Sequence, residues 1–535
     1  GTTVRKGKDL SSTSATTLYS WKYEFITEHS TSSNVATLMS IDVLPFELLS
    51  EILNLSRDVE TLYQSALVCS AWKEAALPGL YRTITLKTVH QSDHGLNFGA
   101  LETLDKYVHL RPYVREVKFL FVLSDYVRRT RHTSTDHKLP PNIWVDSLAN
   151  LPNIQSFTFC HTPFLTYPQS QNRFLPIPPE IIDLTAGALS KCDSLDELNL
   201  LYRATPSDIS RLSRLRNVRS VRLGLPSREV LVAVRPWIEQ CDSFSVRDAY
   251  ALDSLITIRP HVANLSMLHL GPHHALSNRD LLQLLHCTTQ LQELDVFYDN
   301  FLNVQLVSLS MLSDFVCCDV HRYSSAVQLN KESRSSLSLK HLQKVVVRHQ
   351  GVANKSQYME LFSWLEIVTA GAPLKSISVL SDDNRECNFA LPLMNLLAKK
   401  PQLEFLNIPH VVLRQQSLKT LFGSLKNLKV LSIMLVDVNI LSFYTSASPG
   451  ELIFNLSALY LRSTRNTCPY SSVTPQLRQA MLSLRGSPGH LRRLTQEKQT
   501  WKALWTSTSQ TVRQGIDPLK DEYGSYSNAT EEDGW

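Results

Sequence analysis

The sequence predicts an α/β protein in which a small N-terminal helical module precedes an irregular solenoid of about 11–12 strand-helix units. Two observations lead to this prediction. Short apolar segments that share one spacing recur along most of the chain, with helix-like stretches between them. Ahead of these segments, residues 44–86 contain two short amphipathic helices and a third turn anchored by Trp72. Repeated strand-helix units bury their apolar faces on their neighbours, and such stacking builds a solenoid.

The first 40 residues are predicted to be a disordered or non-native leader. They are rich in Ser and Thr and sustain neither a helical nor a strand period. Gly1 is not a start residue, so we expect Met39 to be the natural start and the preceding residues to be an artefact.

A helix is predicted to begin at Pro45, whose missing N–H group is not needed in the first turn. Leu48, Leu49, Ile52 and Leu53 then recur on one predicted face of this helix.

The second predicted helix also has one apolar stripe. Leu62, Ala66, Cys69 and Trp72 follow each other at spacings of three or four. A unit of about 40 residues usually cannot bury enough surface to be stable alone. The pattern therefore indicates that contact with a partner protein helps to stabilise residues 41–86.

The order and spacing of these residues match a known motif. The matching positions are Leu44-Pro45, Glu47-Leu48-Leu49, Ile52-Leu53, Ala66-Leu67-Val68-Cys69, Trp72 and Leu80-Tyr81-Arg82. Residues 41–86 resemble an F-box, the adaptor-binding module of cullin-type ubiquitin ligases. An ordinary helical hairpin that caps a larger domain is the alternative interpretation.

The resemblance implies apolar contacts with the SCF adaptor subunit, and through it with a cullin. The implied contact residues are Leu44, Pro45, Leu48, Ile52, Leu53, Val68 and Trp72.

Residues 87–462 repeat one strand template, with apolar side chains at positions i, i+3 and i+5. Spacings between successive starts fall largely in or near the range of leucine-rich repeats. The predicted starts are Val114, Ile154, Leu195, Val218, Cys241, Leu265, Leu291, Leu342, Leu374, Leu403, Leu428 and Leu456. Helices are predicted at 179–189, 227–238, 277–286, 357–369, 391–398 and 416–422. Residues 463–535 are predicted to be a mostly irregular or disordered tail.

The whole pattern resembles F-box proteins with a degenerate leucine-rich-repeat horseshoe, of the fungal F-box-like type. One departure from typical repeats concerns position i+8. Typical repeats carry Asn or Cys there, where the side chain bonds exposed backbone, and here the position holds other residues such as Thr162 and Asp299.

Side chains between the buried template positions are expected to line the concave face of such a horseshoe. This set mixes Arg with aromatic residues, which dominate binding hot spots, so we predict that the face binds a protein target. The residues predicted for substrate binding are Arg222, Arg247, His269, Asp295, Phe297, Lys344, Arg348 and Tyr460.

Composition argues against other classes of function. A net charge of +5 without a long basic run favours neither nucleic acid nor a membrane surface as partner. The nine cysteines form no Cys-x-x-Cys pair and no metal-ligand spacing, which is typical of reduced thiols in the cytoplasm or nucleus. No catalytic motif stands out, so we expect no enzyme, no cofactor and no metal site.

Taken with the resemblance, these patterns predict a substrate-recognition subunit of an SCF-type cullin ubiquitin ligase. Its F-box would dock the adaptor, and its repeats would bind a protein target. The alternative is a scaffold that uses the same repeats without any ligase.

Overall fold

The computed structural model describes residues 45–121, 147–161, 177–246, 255–299 and 339–435, with short breaks, and several strands beyond them. The predicted leader, residues 1–40, lies outside the described residues. In the described part of the chain, a helical module is followed by one extended sheet of 16 strands.

The sheet follows chain order, and its strands are parallel from β1 to β16. Strands β17 and β18 add to β16 in antiparallel fashion, while β2 and β3 form a separate hairpin. The strands are β1 (Thr83–Lys87), β2 (His90–Gln91), β3 (Gly95–Leu96), β4 (Glu116–Phe121), β5 (Ser156–His161), β6 (Glu197–Leu201), β7 (Ser220–Leu223), β8 (Ser243–Val246), β9 (Met267–Leu270), β10 (Glu293–Asp299), β11 (Lys344–Gln350), β12 (Ser376–Ser381), β13 (Phe405–Leu413), β14 (Val430–Leu435), β15 (Ala458–Ser463), β16 (Arg493–Gln496), β17 (Gln499–Trp505) and β18 (Gln510–Gly515).

All twelve predicted strands are present, and each begins two residues after its predicted start. The template explains this offset. Position i is buried just ahead of the strand, and positions i+3 and i+5 point from the strand into the core, as Leu195, Leu198 and Leu200 do. The predicted α/β solenoid, an irregular leucine-rich-repeat architecture, is therefore confirmed.

Three helices form the module ahead of the sheet, and the others lie between strands and cover one face of the sheet. The helices are α1 (Phe46–Leu55), α2 (Val59–Ala66), α3 (Ser70–Leu80), α4 (Gly99–Lys106), α5 (Pro179–Leu189), α6 (Pro206–Leu212), α7 (Arg228–Ala233), α8 (Arg235–Ile238), α9 (Asn278–Cys287), α10 (Lys355–Thr369), α11 (Ala390–Ala398) and α12 (Gln415–Ser424). Two 3₁₀ helices also lie between strands: Val108–Tyr113 follows α4 and precedes β4, and Leu255–His261 lies between β8 and β9. The side chains between helices and sheet form one continuous hydrophobic core.

Three helix predictions need correction. The second helix was predicted to carry Leu62, Ala66, Cys69 and Trp72 on one stripe, but α2 ends at Ala66, and Cys69 is the N-cap of α3, which contains Trp72.

The single helix predicted at 227–238 is divided into α7 and α8 at Val234, because Pro236 cannot donate the hydrogen bond that a continuous helix requires. Helix α6 was not predicted, although Thr205 and Asp208 form a capping box at its start.

The sheet also extends beyond the predicted strands at both ends. Strand β1 pairs with β4 directly after the helical module, where no strand was predicted. Strands β16 to β18 lie within residues 463–535, where the pattern predicted a mostly irregular tail. An antiparallel hairpin does not need the i, i+3, i+5 template, so a search for that template does not detect it.

Backbone and Asn side chains bridge neighbouring units, although Asn is missing at i+8. The carbonyl at position i+1 accepts two N–H groups of the next unit, as Arg82 does from Arg115 and Glu116. Asn at position i−1 adds a second bridge. Asn153 Nδ2 donates to the Pro112 carbonyl at 2.8 Å, and Asn264 and Asn427 repeat this contact in later units.

Candidate functional site

The N-terminal module has a small core of its own. Leu49 and Leu53 of α1 and Leu62 of α2 pack against Ala75 and Ala76 of α3. Five such side chains bury little area, which agrees with the expectation that the module relies on neighbouring protein.

Local sequence determines where the first two helices begin. Pro45 is the residue preceding α1 and not part of its first turn, which corrects the prediction by one position. Asp58 caps α2 by accepting from the backbone N–H groups of Glu60 and Thr61. The side-chain hydrogen bond from Thr61 holds the pKa of Asp58 below its ordinary value.

Helix α1 has two apolar faces and not the single one that the spacing predicted. Leu49 and Leu53 are buried, whereas Leu48 and Ile52 are 48% and 54% exposed. Leu53 therefore stabilises the module core, and its prediction as a contact with a partner is corrected because the side chain is buried.

Exposed apolar side chains concentrate on this module. Of the fourteen large apolar side chains that are exposed in the described residues, eight lie between residues 46 and 68. We call this set the module surface, and it consists of Phe46, Leu48, Ile52, Leu55, Val59, Tyr63, Leu67 and Val68. Exposed large apolar side chains that concentrate on one small unit indicate an interaction site in a folded protein.

Sequence reasoning selected Leu48, Ile52 and Val68 from this set and missed the other five. The signal for some of them was present, because Leu48, Ile52 and Leu55 follow one another at helical spacing. Trp72, also predicted as a contact, is half-buried against the module core. Pro45 is exposed, and Leu44 lies outside the described residues.

Helix α3 joins the module to the sheet. Ala75 and Ala76 face the module core, while Leu77 and Tyr81 pack against the core of the solenoid. Strand β1 begins two residues after Tyr81. Because one helix contributes to both cores, the module is held on the first strand without a free linker.

The joint at β1 is also hydrogen-bonded. Thr83 Oγ1 donates to Glu116 Oε2 at 3.1 Å, and Arg82 Nε lies 3.3 Å from Glu116 Oε1. The Arg82 carbonyl accepts from the backbone N–H groups of Arg115 and Glu116. These contacts tie the end of the module to β4.

The face of the sheet opposite the helices, which we call the open face, carries a continuous row of template positions i+4. Strand pairing aligns these residues one by one across the sheet. The row consists of Thr85, Lys118, Thr158, Asn199, Arg222, Ser245, His269, Asp295, Val346, Ser378, Asn407, Ser432 and Tyr460. The row combines predicted substrate-binding residues that are far apart in the sequence.

Charged side chains meet in the middle of the open face. Asp295 Oδ1 lies 3.4 Å from Arg348 Nε, and Asp295 Oδ2 lies 3.7 Å from His269 Nδ1. Burial lowers the pKa of His269; Asp295 opposes this shift, and the positive charges of Arg222 and Arg348 add to it. With its pKa below the ordinary value, His269 is neutral near pH 7.

The remaining predicted substrate-binding residues have different surroundings. Phe297 was expected to be available to a partner, but it is buried, with only 3% of its surface exposed. Lys344 Nζ pairs with Glu293 Oε2 at 3.0 Å. Tyr460 lies in strand β15, and Arg247 lies outside the described residues.

One buried His outside the open face has a structural role. His274 is 2% exposed, and its Nε2 donates to the Phe297 carbonyl at 2.7 Å while Nδ1 accepts from the Leu276 N–H group. It thereby ties the segment after β9 to β10.

The cysteines differ in reactivity. Cys69 is exposed at the start of α3, next to the module surface. Burial raises the pKa of Cys241 to about 12 and that of Cys387 to about 11, so both remain protonated thiols near neutral pH.

We expect a maleimide to label Cys69 in the folded protein and to leave Cys241 and Cys387 unmodified until denaturant is added. Mass spectrometry of the digested protein measures each site separately. Labelling of Cys241 at the rate of Cys69 would contradict the buried position of the Cys241 thiol.

In the part of the chain that the structure describes, no cluster of three or more His, Cys, Asp or Glu side chains could hold a metal ion. No described helix is both long enough and apolar enough to cross a membrane.

Comparison with known proteins identifies the module. A family model described as F-box-like matches residues 41–87. The N-terminal module is therefore an F-box-like domain, as the sequence predicted. The match does not reach the repeats, and the fungal type stays a prediction. No curated protein matches the chain.

The chain is also similar to solved structures at low sequence identity. An internalin from Listeria monocytogenes is 11% identical, with a TM-score of 0.30 over 80% of this chain and 100% of that chain. A chain in the yeast Rad7–Elc1 complex is 13% identical, with a TM-score of 0.35 over 79% and 91%. A chain in the Drosophila Toll–Spatzle complex is 11% identical, with a TM-score of 0.31 over 78% and 54%. Values this low carry no argument about function.

Proposed function

We propose that the chain is the substrate-recognition subunit of an SCF-type cullin ubiquitin ligase. The observation that carries this proposal is the concentration of exposed apolar side chains on the F-box-like domain. Burial of a Leu or Ile side chain is worth about 1.5–3 kcal/mol. The eight residues of the module surface therefore offer enough apolar area for a stable interface with the SCF adaptor subunit.

The proposed adaptor contacts combine prediction and structure. Pro45, Leu48, Ile52 and Val68 stay in the predicted set, with Leu44 and the half-buried Trp72, and the other members of the module surface join them. The adaptor would connect the chain to a cullin.

The repeats would hold a protein target, with the open face as the contact surface. The chain itself would perform no chemistry. It would raise the local concentration of target lysines near a conjugating enzyme that other subunits supply. The packing of α3 against both the module core and the solenoid core supports this role, because it would hold a target on the repeats at a constant distance from the adaptor. We place this activity in the cytoplasm or nucleus.

Co-purification of the tagged full-length chain with the SCF adaptor subunit and cullin tests the proposal. We expect a stoichiometric complex that survives gel filtration. Adaptor-free protein would contradict it.

A ligase-independent scaffold is the second candidate. The packing of Leu77 and Tyr81 against the solenoid core favours it, because a module in this position also caps the exposed end of a repeat array. This candidate predicts that partner lifetimes do not change when the chain is removed from cells.

A further inference from the structure

We infer that the open face recognises an acidic side chain of its peptide target, with Arg348 as the anchor. This inference deepens the proposed function and rests on its assignment of the open face as the target-binding surface. It goes further by naming the chemistry of the target and the residue that selects it.

The first step concerns the hydrogen bonds of Arg348. Its Nε donates to Asp295 Oδ1 at 3.4 Å, and among the described residues this is the one hydrogen bond of its guanidinium group. Both terminal Nη groups keep their N–H donors for another acceptor. The side chain as a whole is only 11% exposed, but no Nη atom of Arg348 is among the fully buried polar atoms without a partner, so the terminal groups reach the surface of the open face. A carboxylate of a ligand would satisfy them with two parallel hydrogen bonds.

The second step concerns the neighbours of Arg348 on the open face. On the β10 side it meets Asp295 and Phe297, and on the β12 side the register places Leu380 beside it. Val346, two residues earlier on the same strand as Arg348, and its β12 partner Ser378 lie next to this pair in the i+4 row. Beside Arg348, β12 therefore offers apolar and small neutral side chains, and a carboxylate that approaches there lies on the side of Arg348 away from Asp295.

The third step concerns the charge of the cluster. His269 is neutral near pH 7 because its pKa is lowered, so Asp295 is the counter-charge of Arg348. A largely buried Arg side chain with one weak contact interacts more strongly with an anion than an exposed one does, because the surroundings screen the charge less. An acidic residue followed by an apolar one fits this arrangement, with the carboxylate on Arg348 and the apolar side chain on Val346 and Leu380.

Selection from a random peptide library against the full-length chain tests the inference. We expect the selected peptides to be enriched in Asp or Glu. Replacing that acid by its amide in a synthetic peptide should weaken binding at least about tenfold, measured by fluorescence polarisation. The affinity should also fall as salt is raised.

Two variants assign the effect to Arg348. R348K keeps the charge and removes the planar fork, and R348Q removes both, so we expect successively weaker binding of the acidic peptide with little effect on its amide form. R228Q is the matched control, since Arg228 is an exposed arginine on α7, on the helix-covered side of the sheet and away from the open face. We expect R228Q to bind as the unchanged protein does. Thermal unfolding of each variant shows whether the fold is kept.

Three outcomes would overturn the inference: peptides without enrichment in acids, equal binding of the acid and its amide, or an equal loss in R228Q and R348Q. Selection of phosphopeptides over carboxylate peptides would also overturn it as stated. Adaptor binding is measured on the same samples. Peptide binding without adaptor binding would refute the proposed ligase role and leave the acidic-peptide site supported. Adaptor binding without peptide binding would refute the acidic-peptide site alone.

Discussion

Replacing Leu48 and Ile52 together by Asp is expected to abolish adaptor binding, with a loss of at least about 100-fold in affinity. Both side chains are about half exposed on α1, and each would contribute about 1.5–3 kcal/mol when buried by a partner. The variant also places two carboxylates in an apolar interface, which adds a desolvation cost. Titration of the purified adaptor subunit by calorimetry measures the change.

The control for this variant is L391D. Leu391 of α11 is 71% exposed, so the same substitution removes an exposed apolar side chain far along the chain from the module. We expect unchanged adaptor affinity and unchanged folding in L391D. Full adaptor affinity in the Leu48 and Ile52 variant would exclude the module surface as the docking site. Trp72 is less suitable for this test, because its loss would also disturb the module core.

The largest effect on stability is expected from Trp364→Ala, which should cost about 3–5 kcal/mol. Trp364 lies on α10 with no exposed surface, and its ring centroid is 5.6 Å from that of Tyr298 in β10. Removal of the indole leaves a cavity between helix and sheet in the middle of the repeats. Urea unfolding followed by far-UV circular dichroism measures the loss.

Trp364→Phe is the matched variant and should cost only about 1 kcal/mol. The indole Nε1–H group is buried without an acceptor in the described part of the chain, so its loss removes an unsatisfied donor and no hydrogen bond. Equal destabilisation by the Ala and Phe variants would indicate that the Nε1–H group does form a stabilising contact. A protein that tolerates Trp364→Ala would contradict the packing of α10.

Much of the solenoid could be predicted because its signal is periodic. Leu195, Leu198 and Leu200 show the template that recurs in every predicted strand, and burial of those three positions is what holds each unit on the next. The same template fits Tyr81 just ahead of β1 together with Ile84 and Leu86 within it, which sequence reasoning had assigned to the module. The strand was missed because the end of a helical motif directly precedes it.

The candidate sites were only partly predictable, for a different reason. Helical spacing identified Leu48, Leu49, Ile52 and Leu53 as apolar but could not separate the two faces that they occupy. On the open face, the template placed Asp295 and Arg348 among the exposed positions but could not show that they meet. Nor could it show that Phe297 on the same face is buried.

The sequence by itself therefore determined the F-box-like motif, the repeat template and the class of the fold, because apolar periodicity and motif spacing are properties of neighbouring residues along the chain. Only the tertiary structure decided which face of α1 is left for a partner, how α3 mounts the module on β1, and which charges converge on Arg348. Each of these depends on packing between elements that are distant in sequence, and local periodicity carries no information about such contacts.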